Sequence, residues 1–136
     1  MKRALIVDDT DVTRMVIARL ANDTFAGRFT IDEASSFLTA VKLIESEAKY
    51  GLILLDLDLG GGPDDGIHLL EHVNKHQPGA KVIVVSASAK LPRVQNLRRQ
   101  FPKIIYIMDT DHLLNSPYLQ ETIQGLIDDE RNPPPF

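Results

Sequence analysis

A chain of 136 residues, 43% of them hydrophobic, is long enough to bury the core of one domain. The absence of cysteine excludes disulfides and thiolate metal sites, and the few apolar residues before Asp8 are too few for a signal peptide or a membrane span, so we expect a cytoplasmic protein without membrane contact. A formal net charge of -4 argues against a nucleic-acid interface spread over the surface.

Five short apolar runs predict five β-strands. In chain order they are Ala4–Val7, Phe29–Ile31, Leu52–Leu55, Lys81–Ser86 and Ile104–Met108. The third run is uninterrupted, which is typical of a strand buried on both faces in a parallel sheet covered by helices. A glycine-rich turn follows it, so we expect Asp56 at the carboxyl end of a strand, where ligands bind in open α/β sheets.

Apolar residues at helical spacing predict five helices between and after these strands. The first carries Val12, Met15, Val16 and Leu20 behind a Thr10 or Asp11 N-cap and ends between Asn22 and Gly27. The second carries Phe37, Leu38, Val41, Leu43 and Ile44 behind a Ser35 or Ser36 cap. The others run from about Gly66 to Gln77, from Pro92 to Phe101, and from Ser116–Pro117 to about Glu130.

Five strand–helix units with right-handed crossovers predict a doubly wound α/β fold. We expect a five-stranded parallel sheet in the flavodoxin-like order 2-1-3-4-5 with helices on both faces. One domain should cover residues 1–130, and the proline-rich segment 131–136 should be a disordered tail.

Acids and a serine stand at the predicted strand ends. Asp8 and Asp9 follow the first strand, Asp56 the third and Asp109 the fifth, while Ser86 closes the fourth. Carboxylates that converge on one sheet edge repel each other unless a cation lies between them, and hard oxygen ligands suit Mg²⁺ or Mn²⁺. Asp56 is then placed to form an aspartyl phosphate as a nucleophile, with the Ser86 hydroxyl and the Ala87 backbone N–H as donors to a phosphoryl oxygen.

The ordered set of these segments resembles the receiver domain of two-component response regulators. The resemblance is carried by Ile6-Val-Asp8-Asp9, Leu52-Ile-Leu-Leu-Asp56, Val82-Ile-Val-Val-Ser86-Ala87 and the aromatic Tyr106. It implies that Asp56 accepts a phosphoryl group from a histidine kinase or a histidine phosphotransfer protein. It also implies that Mg²⁺ is bound directly by Asp9 and Asp56, largely through water by Asp8, and by the backbone carbonyl of Asp58.

The same resemblance implies a switch and an output surface. Ser86 would move toward the phosphoryl group and Tyr106 would rotate inward, which alters the surface formed by the fourth helix, the fifth strand and the fifth helix. A downstream protein partner would bind there. A receiver assists only its own phosphotransfer and dephosphorylation, so we do not expect an enzyme.

Two departures from the family pattern bear on this function. Asp109-Thr110 stands where the family usually has Lys-Pro, so the cation that normally faces the phosphoryl group is replaced by an acid, and neither Lys90 nor Lys103 is an obvious substitute. In the loop after Asp56, Gly60 occupies the usual proline position and Gly66 comes two residues later than the family's glycine.

Two other functions stay open at this point. The acid at position 109 favours a pseudo-receiver, an interaction module of receiver fold that does not use phosphate. The alternative of a phosphatase rests on Asp56-Leu-Asp58, which resembles the Asp-x-Asp of haloacid-dehalogenase-type enzymes. That family carries the motif on its first strand, however, whereas here it follows the third.

Charged and histidine side chains on two helices have a simpler interpretation than ligand binding. His68, His72 and His76 recur at a spacing that can bind zinc, but the apolar stripe Ile67, Leu70 and Val73 must face the sheet, so we expect those histidines to face solvent. Arg93, Arg98 and Arg99 are likewise expected on a solvated face, without direct nucleic-acid binding. Their pairing with Asp128, Asp129 and Glu130 of a second copy is a hypothesis for a homodimer.

Overall fold

Five strands and five helical segments alternate along the part of the chain that the computed structural model describes, residues 2–15, 18–19, 29–59 and 63–109. The strands are Lys2–Val7 (β1), Phe29–Ala34 (β2), Tyr50–Asp56 (β3), Lys81–Ser86 (β4) and Ile104–Asp109 (β5). The helices are α1, with residues 11–15 and 18–19 among those described, Phe37–Glu45 (α2), Pro63–His76 (α3), Pro92–Gln95 (α4) and Leu97–Gln100 (α5). The predicted last helix and the tail lie outside the described residues.

All five strands are parallel and lie in the order β2-β1-β3-β4-β5, which confirms the predicted fold. The register aligns the carboxyl ends of the strands. Val7 of β1 pairs with Leu55 of β3, Asp56 pairs with Val85 of β4, and Ser86 pairs with Asp109 of β5. The polar residues at these strand ends therefore reach one edge of the sheet, here called the carboxyl edge.

The central strand separates two apolar cores. Ile53 and Leu55 belong to a cluster that includes residues of α2 and α3, while Leu52 and Leu54 belong to a cluster on the other face, against which Ala18 of α1 packs. All four side chains are at most 1% exposed, as the uninterrupted apolar run predicts. Each contributes about 1.5–3 kcal/mol through removal from water, so β3 is firmly fixed under its terminal acid.

The first helix differs from its predicted packing. Val12 and Met15 are 70% and 63% exposed, although apolar residues at helical spacing usually form the buried face of a helix; Val16 and Leu20 are not described. The half-buried Arg14 lies on the sheet side instead, because it donates to the carbonyl of Asp8 at 2.8 Å and pairs with Glu33 of β2 at 3.3 Å. A charged side chain with partners in two other segments therefore faces the sheet, while Val12 and Met15 do not.

Two helix boundaries also differ from expectation. Helix α3 begins at Pro63 and not near Gly66, because proline is tolerated at a first helical position, where its missing N–H has no helical partner. The predicted fourth helix is two short segments divided at Asn96, whose φ of -67° and ψ of -15° depart from an ideal α-helix toward a tighter turn.

None of the described helices combines the length and the apolar character needed to cross a bilayer.

A buried glutamine ties the elements together at the opposite end of the sheet, here called the amino edge. Gln77 is 2% exposed, donates from Nε2 to the carbonyls of Ile44 and Ala48 at 2.9 and 2.8 Å, and accepts from the backbone N–H of Tyr50 at 3.0 Å. These bonds join the end of α2, the start of β3 and the end of α3. Nothing in the local pattern around Gln77 predicted them.

Candidate functional site

Three carboxylates converge at the carboxyl edge. Asp8 and Asp9 follow β1, Asp56 ends β3, and one oxygen of each lies within 4.8 Å of the others. The two strands are hydrogen-bonded neighbours, so the sheet itself holds the acids together. The predicted convergence of these three residues is present in the structure.

Asp56 lies in a site that disfavours its negative charge. The pKa of this carboxyl group is raised to about 6, first by burial and then by the charges of Asp8, Asp58 and Asp9, while a hydrogen bond from the Asp58 N–H to Oδ1, at 3.0 Å, acts in the opposite direction. The group is still mostly ionised near neutral pH. It is an anion whose charge is poorly balanced by its surroundings.

Asp8 is the most buried of the three acids. It is 4% exposed, and its burial raises its pKa, while the Thr10 N–H, which donates to Oδ1 at 2.8 Å, and the charge of Arg14 favour the ionised form. The charge of Asp9 opposes them. Asp8 and Asp56 are thus harder to ionise than isolated carboxyls, for the same two reasons: burial and the charge of neighbouring carboxylates.

This donor set fits a hard divalent cation. Carboxylate oxygens at these separations are the ligands that Mg²⁺ and Mn²⁺ prefer, and a cation would relieve the repulsion that raises the pKa of Asp56. The role of the Asp58 backbone carbonyl as a further ligand stays a prediction. The side chain of Asp58 makes a different contact, with Ser86 and Ala87.

The Asp58 carboxylate accepts hydrogen bonds from the two donors that are expected to face a phosphoryl group. Ser86 donates from Oγ to Asp58 Oδ2 at 2.8 Å, and the Ala87 N–H donates to the same oxygen at 3.0 Å. Ser86 is fully buried and also accepts from the Ser88 N–H at 2.9 Å, so its hydroxyl position is well defined. Sequence reasoning missed this side chain; the signal was an acid two residues after Asp56 on a glycine-rich loop.

The fifth strand places its two candidate residues differently. Asp109 is half-buried beside Ser86 in the sheet register, whereas Tyr106 is 41% exposed beside Ile83. Lys103 lies at the amino edge, where its ammonium donates to the carbonyl of Pro78, so it does not reach the acids. Lys90 is exposed on the loop after Ser86.

Gly66 fixes α3 against the loop that carries Asp58. A Cβ at position 66 would lie 2.7 Å from the Leu57 Cα and closer still to the Leu57 carbonyl oxygen, far inside van der Waals contact. Leu57 lies between the two acids and is itself fully buried. The position of this glycine, two residues later than the family pattern, therefore follows from a close approach of helix and loop.

The histidines of α3 divide into two groups, so the predicted exposure of all three is complete only for His68. His68 is exposed, but His72 and His76 are about one-third exposed and lie beside Glu45 of α2, at 3.2 and 3.6 Å. The apolar stripe of α3 does face the core, yet α2 packs beside it and covers the flank. The exposure predicted for Arg93, Arg98 and Arg99 is present; their proposed partners at 128–130 lie outside the described residues.

Comparison with known proteins gives both relatives in sequence and relatives in fold. An NtrX-like response regulator of Rickettsia bellii is 30% identical over 92 residues, which is 68% of this chain but 18% of that protein. A DNA-binding response regulator of the LuxR family from Staphylococcus aureus has a TM-score of 0.72 at 22% identity, covering 97% of this chain and 100% of that one. A Burkholderia pseudomallei response regulator, solved with a phosphorylated aspartic acid, a calcium ion and citrate, has a TM-score of 0.64 at 23% identity, covering 98% and 76%.

A family model adds the assignment that these individual likenesses do not carry alone. The model of the response regulator receiver domain matches residues 4–113, a span that includes every acid of the site and all of β3, β4 and β5. The chain belongs to the response regulator receiver domain family.

Proposed function

We propose that this receiver domain, over residues 1–130, is a phosphorylation-dependent switch that accepts a phosphoryl group on Asp56. The donor is a phosphohistidine of a histidine kinase or of a histidine phosphotransfer protein, and the setting is two-component signalling or a phosphorelay in the cytoplasm. The observation that carries the proposal is the meeting of Asp8, Asp9 and Asp56 within 4.8 Å, beside the Ser86 and Ala87 donors.

The chemistry asks for an ionised, accessible carboxylate. Asp56 has a pKa near 6, so it is mostly anionic at neutral pH, and its carboxylate oxygen can attack phosphorus while the bond to the donor imidazole breaks. Asp8, Asp9, Asp56 and the Asp58 carbonyl would hold Mg²⁺ or Mn²⁺, which supplies positive charge against the oxygens of the incoming phosphoryl group.

The proposed reaction also requires the Asp58 carboxylate to give up its hydrogen bonds from Ser86 and Ala87. The phosphoryl group brings oxygens that need the Ser86 hydroxyl and the Ala87 N–H, and both now donate to one oxygen of Asp58. The carboxylate must leave before those donors can turn to the new anion. Asp58 therefore competes with the phosphoryl group and should slow phosphorylation.

Transmission starts at the same donors. When Ser86 turns to the phosphoryl group, space behind it opens toward β5, and the exposed Tyr106 rotates inward. The surface of α4, α5, β5 and the predicted last helix then changes and binds a downstream protein. In this scheme the domain has no enzyme activity beyond assisting its own phosphotransfer and dephosphorylation.

Phosphotransfer to the purified protein tests the proposal. Incubation with Mg²⁺ and a small phosphodonor should give an acid-stable, base-labile adduct with the mass of one phosphoryl group on Asp56, and Asp56→Asn should give none. Asp58→Ala should label faster than the wild type, because Ser86 and Ala87 are released. If neither a small donor nor a phosphorylated histidine protein labels the wild type or Asp58→Ala, the switch proposal fails.

A second function, the pseudo-receiver interaction module, is favoured by one specific contact. The Ser86 hydroxyl and the Ala87 N–H, which would recognise phosphate, already donate to Asp58, so this conformation of the site is stable without phosphate. The acid at position 109 also disfavours a phosphoryl group. A partner that binds equally to the wild type and Asp56→Asn would support this module. The phosphatase alternative gains nothing here, because the Asp58 carboxyl bonds to Ser86 and Ala87.

A further inference from the structure

We propose that Glu45, His72 and His76 form a second metal site, for a divalent transition-metal ion such as Zn²⁺, on the flank where α2 packs against α3. This site, here called the helix-pair site, is separate from the acids of the carboxyl edge. Two imidazoles and a carboxylate are a donor set that suits zinc, nickel or copper, whereas an all-oxygen cluster suits magnesium. The protein would thus sort two kinds of cation into two places.

The distances match the shape of a zinc site. Glu45 Oε1 lies 3.2 Å from His72 Nδ1 and 3.6 Å from His76 Nε2, and the three ligand atoms all lie within 4.8 Å of one another. Metal–ligand bonds of about 2.0–2.1 Å in a tetrahedron place neighbouring ligand atoms about 3.3 Å apart. Two of the three edges are therefore within a few tenths of an ångström of that value before any ion binds.

The ligands are held on rigid elements. His72 and His76 are one turn apart on α3, and their rings are nearly parallel, 17° between planes with centroids 6.2 Å apart. His72 also packs edge-on against Phe37 of α2, with ring centroids 6.4 Å apart. The histidine pair is thereby oriented toward the helix that carries the carboxylate.

The Gln77 contacts fix the third ligand relative to the pair. Gln77 follows His76 directly and donates to the carbonyl of Ile44, the residue before Glu45, at 2.9 Å. This buried bond joins α3, one residue after His76, to the backbone of α2, one residue before Glu45. A preorganised site loses less free energy to ordering when an ion binds.

The site is open enough to load and to keep a water ligand. The side chains of Glu45, His72 and His76 are 43%, 34% and 33% exposed. Three protein ligands with one accessible position is the arrangement of zinc sites that hold an exchangeable fourth ligand. The simpler alternative is a hydrogen-bonded ion pair between Glu45 and protonated histidine, with no metal affinity.

Zinc titration of the full chain separates these alternatives. With Mg²⁺ in excess, to compete for the carboxyl-edge acids, ZnCl₂ followed by calorimetry should show one saturable site, and the melting temperature should rise with zinc concentration. His72→Gln, His76→Gln and Glu45→Gln should each weaken zinc binding at least about tenfold, because each removes one of three protein ligands. His68→Gln is the matched control: it changes an exposed histidine one turn earlier on α3 and should leave the affinity unchanged.

Circular dichroism and melting without zinc show that each variant is folded, and Co²⁺ supplies an independent readout, because its visible absorption reports a tetrahedral nitrogen-containing site. The inference is overturned if the wild type binds no zinc under excess Mg²⁺, if the three glutamine variants bind as tightly as the wild type, or if Asp9→Asn alone removes binding. The last result would assign the ion to the carboxyl edge.

Discussion

The two edges of the sheet treat polar groups in opposite ways. At the amino edge, Gln77 makes three hydrogen bonds while almost fully buried, and near it Asp32 accepts from both Arg3 and the Tyr50 hydroxyl, the latter at 2.7 Å. At the carboxyl edge, burial and mutual repulsion raise the pKa values of Asp8 and Asp56. Donors and acceptors match within the chain at one end, and acceptors are in excess at the other.

This difference separates stability from function. Polar groups satisfied inside the chain stabilise the fold and have no need of a ligand, whereas clustered anions destabilise the empty protein and favour whatever brings positive charge. In the proposed function, this deficit favours the binding of a cation and of a phosphoryl donor. Changes at the amino edge should therefore alter stability, and changes at the carboxyl edge should alter binding and chemistry.

The largest stability effect is expected from Gln77→Ala. The substitution leaves the Tyr50 N–H and the carbonyls of Ile44 and Ala48 without their partner. The two buried groups cost about 1–3 kcal/mol each and the part-buried Ala48 carbonyl costs less, so the free energy of unfolding should fall by about 3–4 kcal/mol. Urea unfolding followed by circular dichroism measures it. Gln100→Ala, at an exposed helix position, should change stability by less than about 0.5 kcal/mol.

Gln77→Glu sharpens the test, because its carboxylate can still accept from Tyr50 but cannot donate to the carbonyls of Ile44 and Ala48. It should be destabilised nearly as much as the alanine variant. Wild-type stability in Gln77→Glu would show that the amino edge does not depend on these donors, and the contrast between the edges would then lose its main support.

Gln77 stabilises the fold, whereas the charge of Asp56 is expected to destabilise it in a way that depends on pH. Because folding raises the pKa of this acid from 3.8 to about 6, its ionisation destabilises the metal-free fold: the penalty is absent below about pH 4, grows as pH rises, and is complete above about pH 6. At about 1.4 kcal/mol per unit the penalty is at most about 3 kcal/mol, and nearer 2 after solvent screening.

Asp56→Asn removes this penalty. In the presence of a chelator at about pH 7.5 the variant should be more stable than the wild type by about 2 kcal/mol, and the difference should vanish near pH 4. Mg²⁺ should narrow the gap at neutral pH by stabilising the wild type alone. A gap that stays constant with pH would mean that the charge of Asp56 is not what destabilises the carboxyl edge.

Gly66→Ala tests the support of the site from the side of α3. The new methyl group must displace the backbone of Leu57, between Asp56 and Asp58, so overpacking should cost about 2 kcal/mol and lower Mg²⁺ affinity as well. Gly79→Ala is the matched control at the amino edge, since its Cβ would meet nothing within 4 Å. Equal stability of the two variants would contradict the close approach of helix and loop.

The strands and their order were predictable because apolar runs report burial directly. Leu52–Leu55 is buried as its composition requires, and parallel register then brings Asp8, Asp9 and Asp56 to one edge. The packing of helix faces was less predictable: Met15 lies in an apolar pattern, yet the neighbouring Arg14 has partners in β2 and directly after β1 and faces the sheet.

Contacts between residues far apart in sequence were not predictable at all. The bond from Gln77 to Ile44, the pairing of Glu45 with His72, and the contact of Ser86 with Asp58 each join separate elements. A local pattern specifies which face a residue occupies, but the partner depends on how two elements pack. The part of the site carried by strand ends was therefore visible in the sequence, and the part carried by side-chain partners was not.

The smallest effect is expected from Asp109→Lys, which tests whether the charge deficit of the carboxyl edge extends to β5. Asp109 lies beside Ser86, so a phosphoryl group held by Ser86 would meet a carboxylate there, where an ammonium would attract it. Opposite and like charges at such an edge interact by about 1 kcal/mol when solvent screens them, which corresponds to a change of a few fold. We expect Asp109→Lys to be phosphorylated a few fold faster at fixed Mg²⁺ and to need less Mg²⁺ for half-maximal labelling.

Glu47→Lys makes the same change of net charge on an exposed loop between α2 and β3 and should leave both quantities unchanged. If the two variants respond alike, the effect belongs to net charge; if Asp109→Lys labels no faster across a Mg²⁺ titration, the acid at position 109 does not oppose the phosphoryl group.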